Sequence, residues 1–214
     1  MKSKLLICSL LALMLISGCS TLNGSVPFRY VPSLNTIPRT DAVLGMEKFV
    51  DRRPAGDQEV TDCIPDIDEK ITLKVLDDLH SSRIFADIAI PARKEANDLI
   101  LKGEIKRFYW KTTHNPIKYL PMIQIILLFG IPSQYVEAVT ELEIAFVDSK
   151  TNTVLVKYDK TSTRTEYATI YKTKSGESGA ELADTFRDVM KQIKDSFADD
   201  IRSGKIKLPK TASR

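Results

Sequence analysis

Histidine is almost absent from this chain, which has two histidines among its 214 residues. His80 and His114 lie far apart in sequence, so neither has a second histidine at the spacing of a zinc motif. The sequence also lacks a nucleophile elbow and a glycine-rich phosphate loop. We therefore expect both histidines to lie on the surface, and we expect no metal site, no cofactor and no catalytic residue.

Long apolar runs are missing as well. The N-terminal run, residues 5–16, has about a dozen residues, whereas a spanning helix needs about 18 or more. Lys2 and Lys4 precede the run, and Ile16-Ser17-Gly18-Cys19 closes it. This arrangement resembles the signal peptide and lipobox of bacterial lipoproteins.

The resemblance implies a lipid anchor. The signal would be cut between Gly18 and Cys19, and Cys19 would carry a thioether-linked diacylglycerol and an N-acyl chain. Each methylene group of an acyl chain that enters the membrane contributes about 0.8 kcal/mol to the free energy of binding, so two or three chains hold a protein firmly in a membrane. Ser20 is not the aspartate that favours inner-membrane retention in such lipoproteins. We therefore expect the outer membrane, with the folded part on the periplasmic face.

The net charge and the cysteine content argue against a nucleic-acid-binding face and against an intramolecular disulfide. The formal net charge of +3 includes Lys2 and Lys4, so it falls to +1 when the signal is removed, which argues against a nucleic-acid-binding face. Of three cysteines, Cys8 leaves with the signal and Cys19 takes the lipid. Cys63 then has no partner for an intramolecular disulfide, and we expect it to be a small buried residue before a helix.

The remaining sequence predicts one domain. Residues 1–18 are the signal, 19–40 the lipidated N-terminus and an extended tether with three prolines, 41–204 the domain, and 205–214 a tail. Strands are predicted at 43–50, 85–90, 98–105, 136–147 and 154–165, and helices at 64–82 and 180–201. The fold class is α+β, an antiparallel or mixed sheet with helices packed on one face.

Several of these stretches resemble one group of envelope lipoproteins. The matching features are the 43–50 strand before Asp51-Arg52, the strand 96–105, and Phe146-Val147-Asp148 before Asn152. The group has a domain similar to the TolB N-terminal module and includes the penicillin-binding-protein activators and the curli-secretion lipoprotein. Its members mainly bind partners or assemble. Asn152 stands where the group usually has glycine, and asparagine also tolerates positive φ.

An apolar segment, residues 119–132, interrupts the strand pattern where a short polar hairpin would be the default. Three interpretations stay open: part of the core, an exposed patch that touches a bilayer or a neighbouring protein, or half of a membrane hairpin in an oligomeric pore. Aromatic residues at 109, 110, 119 and 135 suit an interface. The candidate contact residues are Tyr119, Ile123, Ile125, Ile126, Leu128 and Phe129.

These observations predict a non-catalytic binding or assembly module of the cell envelope, held to the membrane by its lipid. Its expected partners are an envelope protein or a second copy, and no nucleic acid. A subunit of an envelope pore or secretion apparatus is the first alternative. A periplasmic hydrolase is the second, disfavoured because the sequence shows no nucleophile–base pair.

Overall fold

In a computed structural model of the chain, residues 39–57, 66–114, 132, 134–168 and 180–206 are described. Within these residues the chain forms six strands and two long helices. The strands are β1 (Val43–Met46), β2 (Val50–Asp51), β3 (Asp87–Ala89), β4 (Leu99–His114), β5 (Gln134–Asp148) and β6 (Val154–Ala168), and the helices are α1 (Ile67–Ser82) and α2 (Ala180–Arg202).

The strands form a mixed sheet in the order β3-β1-β4-β5-β6, and β2 pairs with β4 beyond the end of β1. β1 lies parallel to both β3 and β4. Strand β1 reaches β3 through helix α1, which is the crossover that parallel neighbours need. β4, β5 and β6 then pair antiparallel through long, continuous ladders.

Both helices pack on one face of this sheet. In α1, Ile71, Val75 and Leu79 recur at helical spacing and are buried. In α2, the predicted stripe is buried along its whole length. Phe197 of α2 stacks on Phe146 of β5, with ring centroids 4.4 Å apart. The predicted α+β class, a single domain with a mixed sheet covered by helices on one face, is confirmed.

Strand β4 is longer than the sequence predicts, and a bulge explains why. Leu99, Leu101 and Ile105 are buried on the helix-covered face, but the register shifts between Ile105 and Arg107. After that shift the buried side chains are Phe108 and, partly, Trp110. A bulge changes which alternate residues face the core, so the simple alternation stops at residue 105 although the strand continues.

The predicted strand 43–50 is divided into β1 and β2 for a local reason. The amide of Phe49 donates a hydrogen bond to Thr72 Oγ1 of α1, at 2.9 Å, instead of joining the sheet. Its ring lies over Gly103, where an added Cβ would come within 2.2 Å of a ring carbon. Gly103 therefore allows the close approach that its place in the strand predicts.

The turns follow the predicted chemistry. Asn152 has φ 55° in the β5–β6 hairpin, as its match to a glycine position implies. The Asp148 carboxylate accepts the amides of Lys150 and Thr151 in that turn. Helix α2 is followed by Gly204 at φ 73°. Arg83 ends α1 in the left-handed conformation at φ 51°, which the sequence analysis does not anticipate.

Candidate functional site

The residues that the sequence singles out lie outside the described residues. This holds for Gly18 and Cys19, for Cys63, and for the contact residues Tyr119, Ile123, Ile125, Ile126, Leu128 and Phe129. Their roles and the limits of the signal, tether and tail therefore stay predictions. What the structure does establish is where the flanking chain holds the ends of the apolar segment.

His114 and Gln134, which flank the apolar segment in sequence, lie together at one end of the sheet. His114, the last residue of β4, pairs with Gln134, the first residue of β5. Gln134 also pairs with Ala168, the last residue of β6. The chain therefore leaves and re-enters the sheet at this end on both sides of the apolar segment. We call residues 111–114, 134–137 and 165–168 the distal tip.

The distal tip extends past helix α2. Thr185 near the start of the helix contacts Thr140 of β5, with their hydroxyl oxygens 2.8 Å apart. Ala138 is still fully buried, whereas Val136 and Gln134 on the same face are only half-buried. A strand rises about 3.3 Å per residue and a helix only about 1.5 Å, so the 15 residues of β5 outreach the helix.

Aromatic residues near the tip separate into two groups. Tyr109 is 7% exposed and the half-buried Trp110 packs against the core, and an interface role for the two rings stays a prediction. Tyr135, by contrast, meets Tyr167 edge-on across the β5–β6 ladder, with centroids 5.3 Å apart. Tyr167 is 53% exposed. This pair is an aromatic surface on the sheet face opposite the helices, at the distal tip.

The face of the sheet opposite the helices carries a ladder of opposite charges across β4, β5 and β6. Lys106 of β4 contacts Glu143 of β5 at 2.8 Å and also Asp159 of β6. Lys157 contacts the other oxygen of Glu143. Hydrogen bonds from Lys106 and Lys157 hold the pKa of Glu143 below its usual value. Opposite charges on neighbouring strands stabilise a solvated sheet face.

A buried ion pair connects the two helices, and the sequence analysis does not identify it. Lys194 Nζ of α2 lies 2.7 Å from Asp78 Oδ2 of α1, and both side chains are at most 1% exposed. Lys194 also donates a hydrogen bond to Ser82 Oγ at 3.1 Å. The spacing of the helices could have predicted this pair. Asp78 lies three residues after Val75 and Lys194 four after Met190, so each charge lies on the buried face of its helix.

A cavity of about 430 Å³ lies at the opposite end from the distal tip. The end of α1 and the start of β3 enclose it together with Arg39, the first described residue. His80 lines this cavity and is exposed, as predicted for a surface histidine. The described residues contain no group of three or more histidine, cysteine, aspartate or glutamate side chains placed to hold a metal ion.

None of the helices in the described part of the chain combines the length and the apolar character that crossing a membrane requires.

Comparisons with known proteins give no family. No family model matches the sequence, and no curated protein matches it. A Xanthomonas campestris protein assigned to the DUF330 family model is 15% identical, with a TM-score of 0.49 over 82% of this chain and 92% of that one. Rare lipoprotein B from Shewanella oneidensis is 11% identical, with a TM-score of 0.42 over 77% of this chain and 99% of that one.

PelC from Paraburkholderia phytofirmans, a dodecamer, is 14% identical, with a TM-score of 0.41 over 73% of this chain and 92% of that one. Bacterial lipoproteins are thus among the solved structures to which this chain is similar. Because these TM-scores lie below 0.5, the likeness carries no argument about the role of the chain.

Proposed function

We propose that this chain is a lipoprotein of the outer membrane that faces the periplasm and acts as a non-catalytic binding or assembly module of the cell envelope. The observation that carries the proposal is Ile16-Ser17-Gly18-Cys19 directly after a basic and apolar N-terminal segment. The proposed role matches what the resemblance to the TolB N-terminal module group implies.

The point where the chain enters the domain and the distal tip lie at opposite ends of the sheet. The chain enters the domain beside β1, where the Thr40 amide donates to the Ile84 carbonyl at 2.7 Å. This proximal end contains the first residue of β4, and the distal tip contains its last. The 16 residues of β4 span about 50 Å at about 3.3 Å per residue. The chain therefore leaves β4 toward the apolar segment far from Thr40.

This separation favours a protein contact over a second membrane contact. The strands that flank this segment in sequence, β4 and β5, leave and enter the sheet at the distal tip, remote from Thr40. The exposed Tyr167 of the distal tip is an amphipathic ring of the kind enriched at protein interfaces. We therefore propose that residues 119–132 form the contact surface of the module.

The anchor is tested by replacing its cysteine. Cys19→Ala should abolish incorporation of radiolabelled palmitate and remove the protein from the outer-membrane fraction, because the thiol is the lipid acceptor. Cys63→Ala is the matched control and should be labelled like the native chain. Continued labelling of Cys19→Ala, with normal fractionation, would refute the lipid anchor.

The contact surface is tested by adding charge. Ile125→Asp combined with Leu128→Asp should leave the thermal midpoint of the domain unchanged and abolish crosslinking to its envelope partner or to a second copy. Val154→Asp is the control, because Val154 is 55% exposed and lies at the other end of β6. If the double variant unfolds while the control does not, the segment belongs to the core.

A further inference from the structure

The cavity at the proximal end has an unusual set of polar side chains. It lies between the last turn of α1 and the start of β3 and has a volume of about 430 Å³. Arg39, His80, Ser81, Arg83 and Asp87 contribute its polar lining. Among the described residues, two arginines, a histidine, a serine and one aspartate thus line the same open concave surface, and all five are exposed.

No carboxylate of the described residues forms an ion pair with the two arginines of this cavity. Arg53, Arg107, Arg164, Arg187 and Arg202 each form an ion pair with an aspartate. Arg39 and Arg83 do not, and neither do Arg52 and Arg93, which lie outside this cavity. Asp87 also lines the cavity, but its Oδ1 accepts the amide of Ile88 at 2.8 Å. Among the described lining residues, Arg39, Arg83 and Asp87 therefore give a formal charge of +1.

The backbone holds both arginines in place. Arg83 has φ 51° and ψ 32°, a left-handed conformation that glycine usually supplies at the end of a helix. Its amide donates to the His80 carbonyl at 3.1 Å, which fixes this conformation. Arg39 precedes Thr40, whose amide donates to the Ile84 carbonyl. Glycine would adopt this left-handed conformation with less strain, and Asp66 and Asn152 adopt it as well.

We propose that this cavity binds a phosphate group. Guanidinium groups offer paired N–H donors that match phosphate oxygens, and the hydroxyl of Ser81 is a further donor. The small net charge suits a single phosphate rather than a polyanion. Arg39, the first described residue after the proposed tether, lines the cavity, so, if the lipid anchor of the proposed function holds, the cavity lies within the reach of the tether from a membrane surface. A phospholipid head group is then the expected source, and free phosphate is the other.

Binding is measured on the mature chain, residues 19–214, carrying Cys19→Ala, so that the result does not depend on lipidation. Isothermal titration with inorganic phosphate should show saturable binding that Arg39→Gln and Arg83→Gln each weaken at least tenfold. Arg52→Gln is the control, because it removes the same charge from an exposed residue outside the cavity. Unchanged phosphate binding in both cavity variants, or no binding by the native sequence, would overturn the proposal.

Two further measurements distinguish a lipid head group from free phosphate, and a loss of binding from a loss of folding. Sedimentation with phosphatidylglycerol vesicles that the same cavity variants lose, while Arg52→Gln retains it, identifies the lipid head group. Phosphate binding without such a difference between variants identifies the free anion. Arg83→Gly should raise the thermal midpoint, because glycine relieves the left-handed conformation, and should still weaken phosphate binding. If Arg83→Gly binds phosphate like the native sequence, the site is refuted irrespective of folding.

Discussion

At the scale of single residues, the most consequential contact is the buried pair of Asp78 and Lys194. Two opposite charges removed from water gain a strong mutual attraction but lose their hydration, so the pair as a whole contributes little net stability. Its geometry, with Nζ and Oδ2 2.7 Å apart, nevertheless fixes how α1 lies against α2. The pair therefore specifies the packing of the helices more than it stabilises the domain.

Breaking the pair should cost far more than replacing it. Lys194→Met leaves Asp78 buried without its ammonium partner, and we expect it to lower the free energy of unfolding by about 3 to 5 kcal/mol. Adding Asp78→Leu to the same chain should recover most of that loss, because no unpaired charge then remains. Urea unfolding of the two single variants and the double variant measures the coupling.

The matched control for that cycle is Lys74→Met, since Lys74 pairs with Asp77 at 3.7 Å on the solvated side of α1. Such exposed pairs contribute at most about 1 kcal/mol, so its urea midpoint should scarcely move. Equal effects at Lys74 and Lys194 would show that burial does not govern this pair.

At the scale of elements, helix α2 is the main cover of the sheet. Its buried stripe runs from Leu182 through Phe186 and Ile193 to Phe197. Phe186 is fully buried and meets Phe108 of β4 at an interplanar angle of 89°. Along its polar flank, Arg164 of β6 binds Asp184 at 2.8 Å and Asp188 at 3.0 Å. The apolar stripe provides the burial, and the flank aligns the helix with the edge strand.

Truncating the centre of that stripe should be costly. Phe186→Ala removes a ring from a packed core, and we expect a loss of about 3 to 5 kcal/mol in the free energy of unfolding, measured by denaturant titration. Leu73→Ala is the control, because Leu73 is 48% exposed on α1. A midpoint for Phe186→Ala equal to that of the control would mean that this face of α2 does not stabilise the domain.

At the scale of the whole molecule, the long antiparallel ladder separates two regions. The proximal end holds the entry of the tether and the cavity between α1 and β3. The distal tip holds the last residue of β4, the first residue of β5 and the pair Tyr135 and Tyr167. The 16 residues of β4 keep the two regions about 50 Å apart, at about 3.3 Å per residue.

Some of this could be predicted from the sequence because the signals are local. The stripe of α2, the alternation of Ala138, Leu142 and Ile144 in β5, and the turn at Asn152 each depend on neighbours a few residues away. The lipobox is equally local, and a peptidase and an acylating enzyme would act on it as a linear motif. These features predicted the α+β class and the proposed localisation of the protein in the outer membrane.

Only the tertiary structure decided the rest, because the residues concerned are distant in sequence. Arg39 and Arg83 meet at one cavity only because β1 and α1 bring them to the same end of the sheet. Asp78 and Lys194 look like solvated charges until the two helices enclose them. Because of the bulge after Ile105, the alternation of apolar and polar residues does not predict the last nine residues of β4. Their strand conformation is seen only in their pairing with β5. Local patterns determine which elements form, whereas long-range packing determines which side chains they bring together.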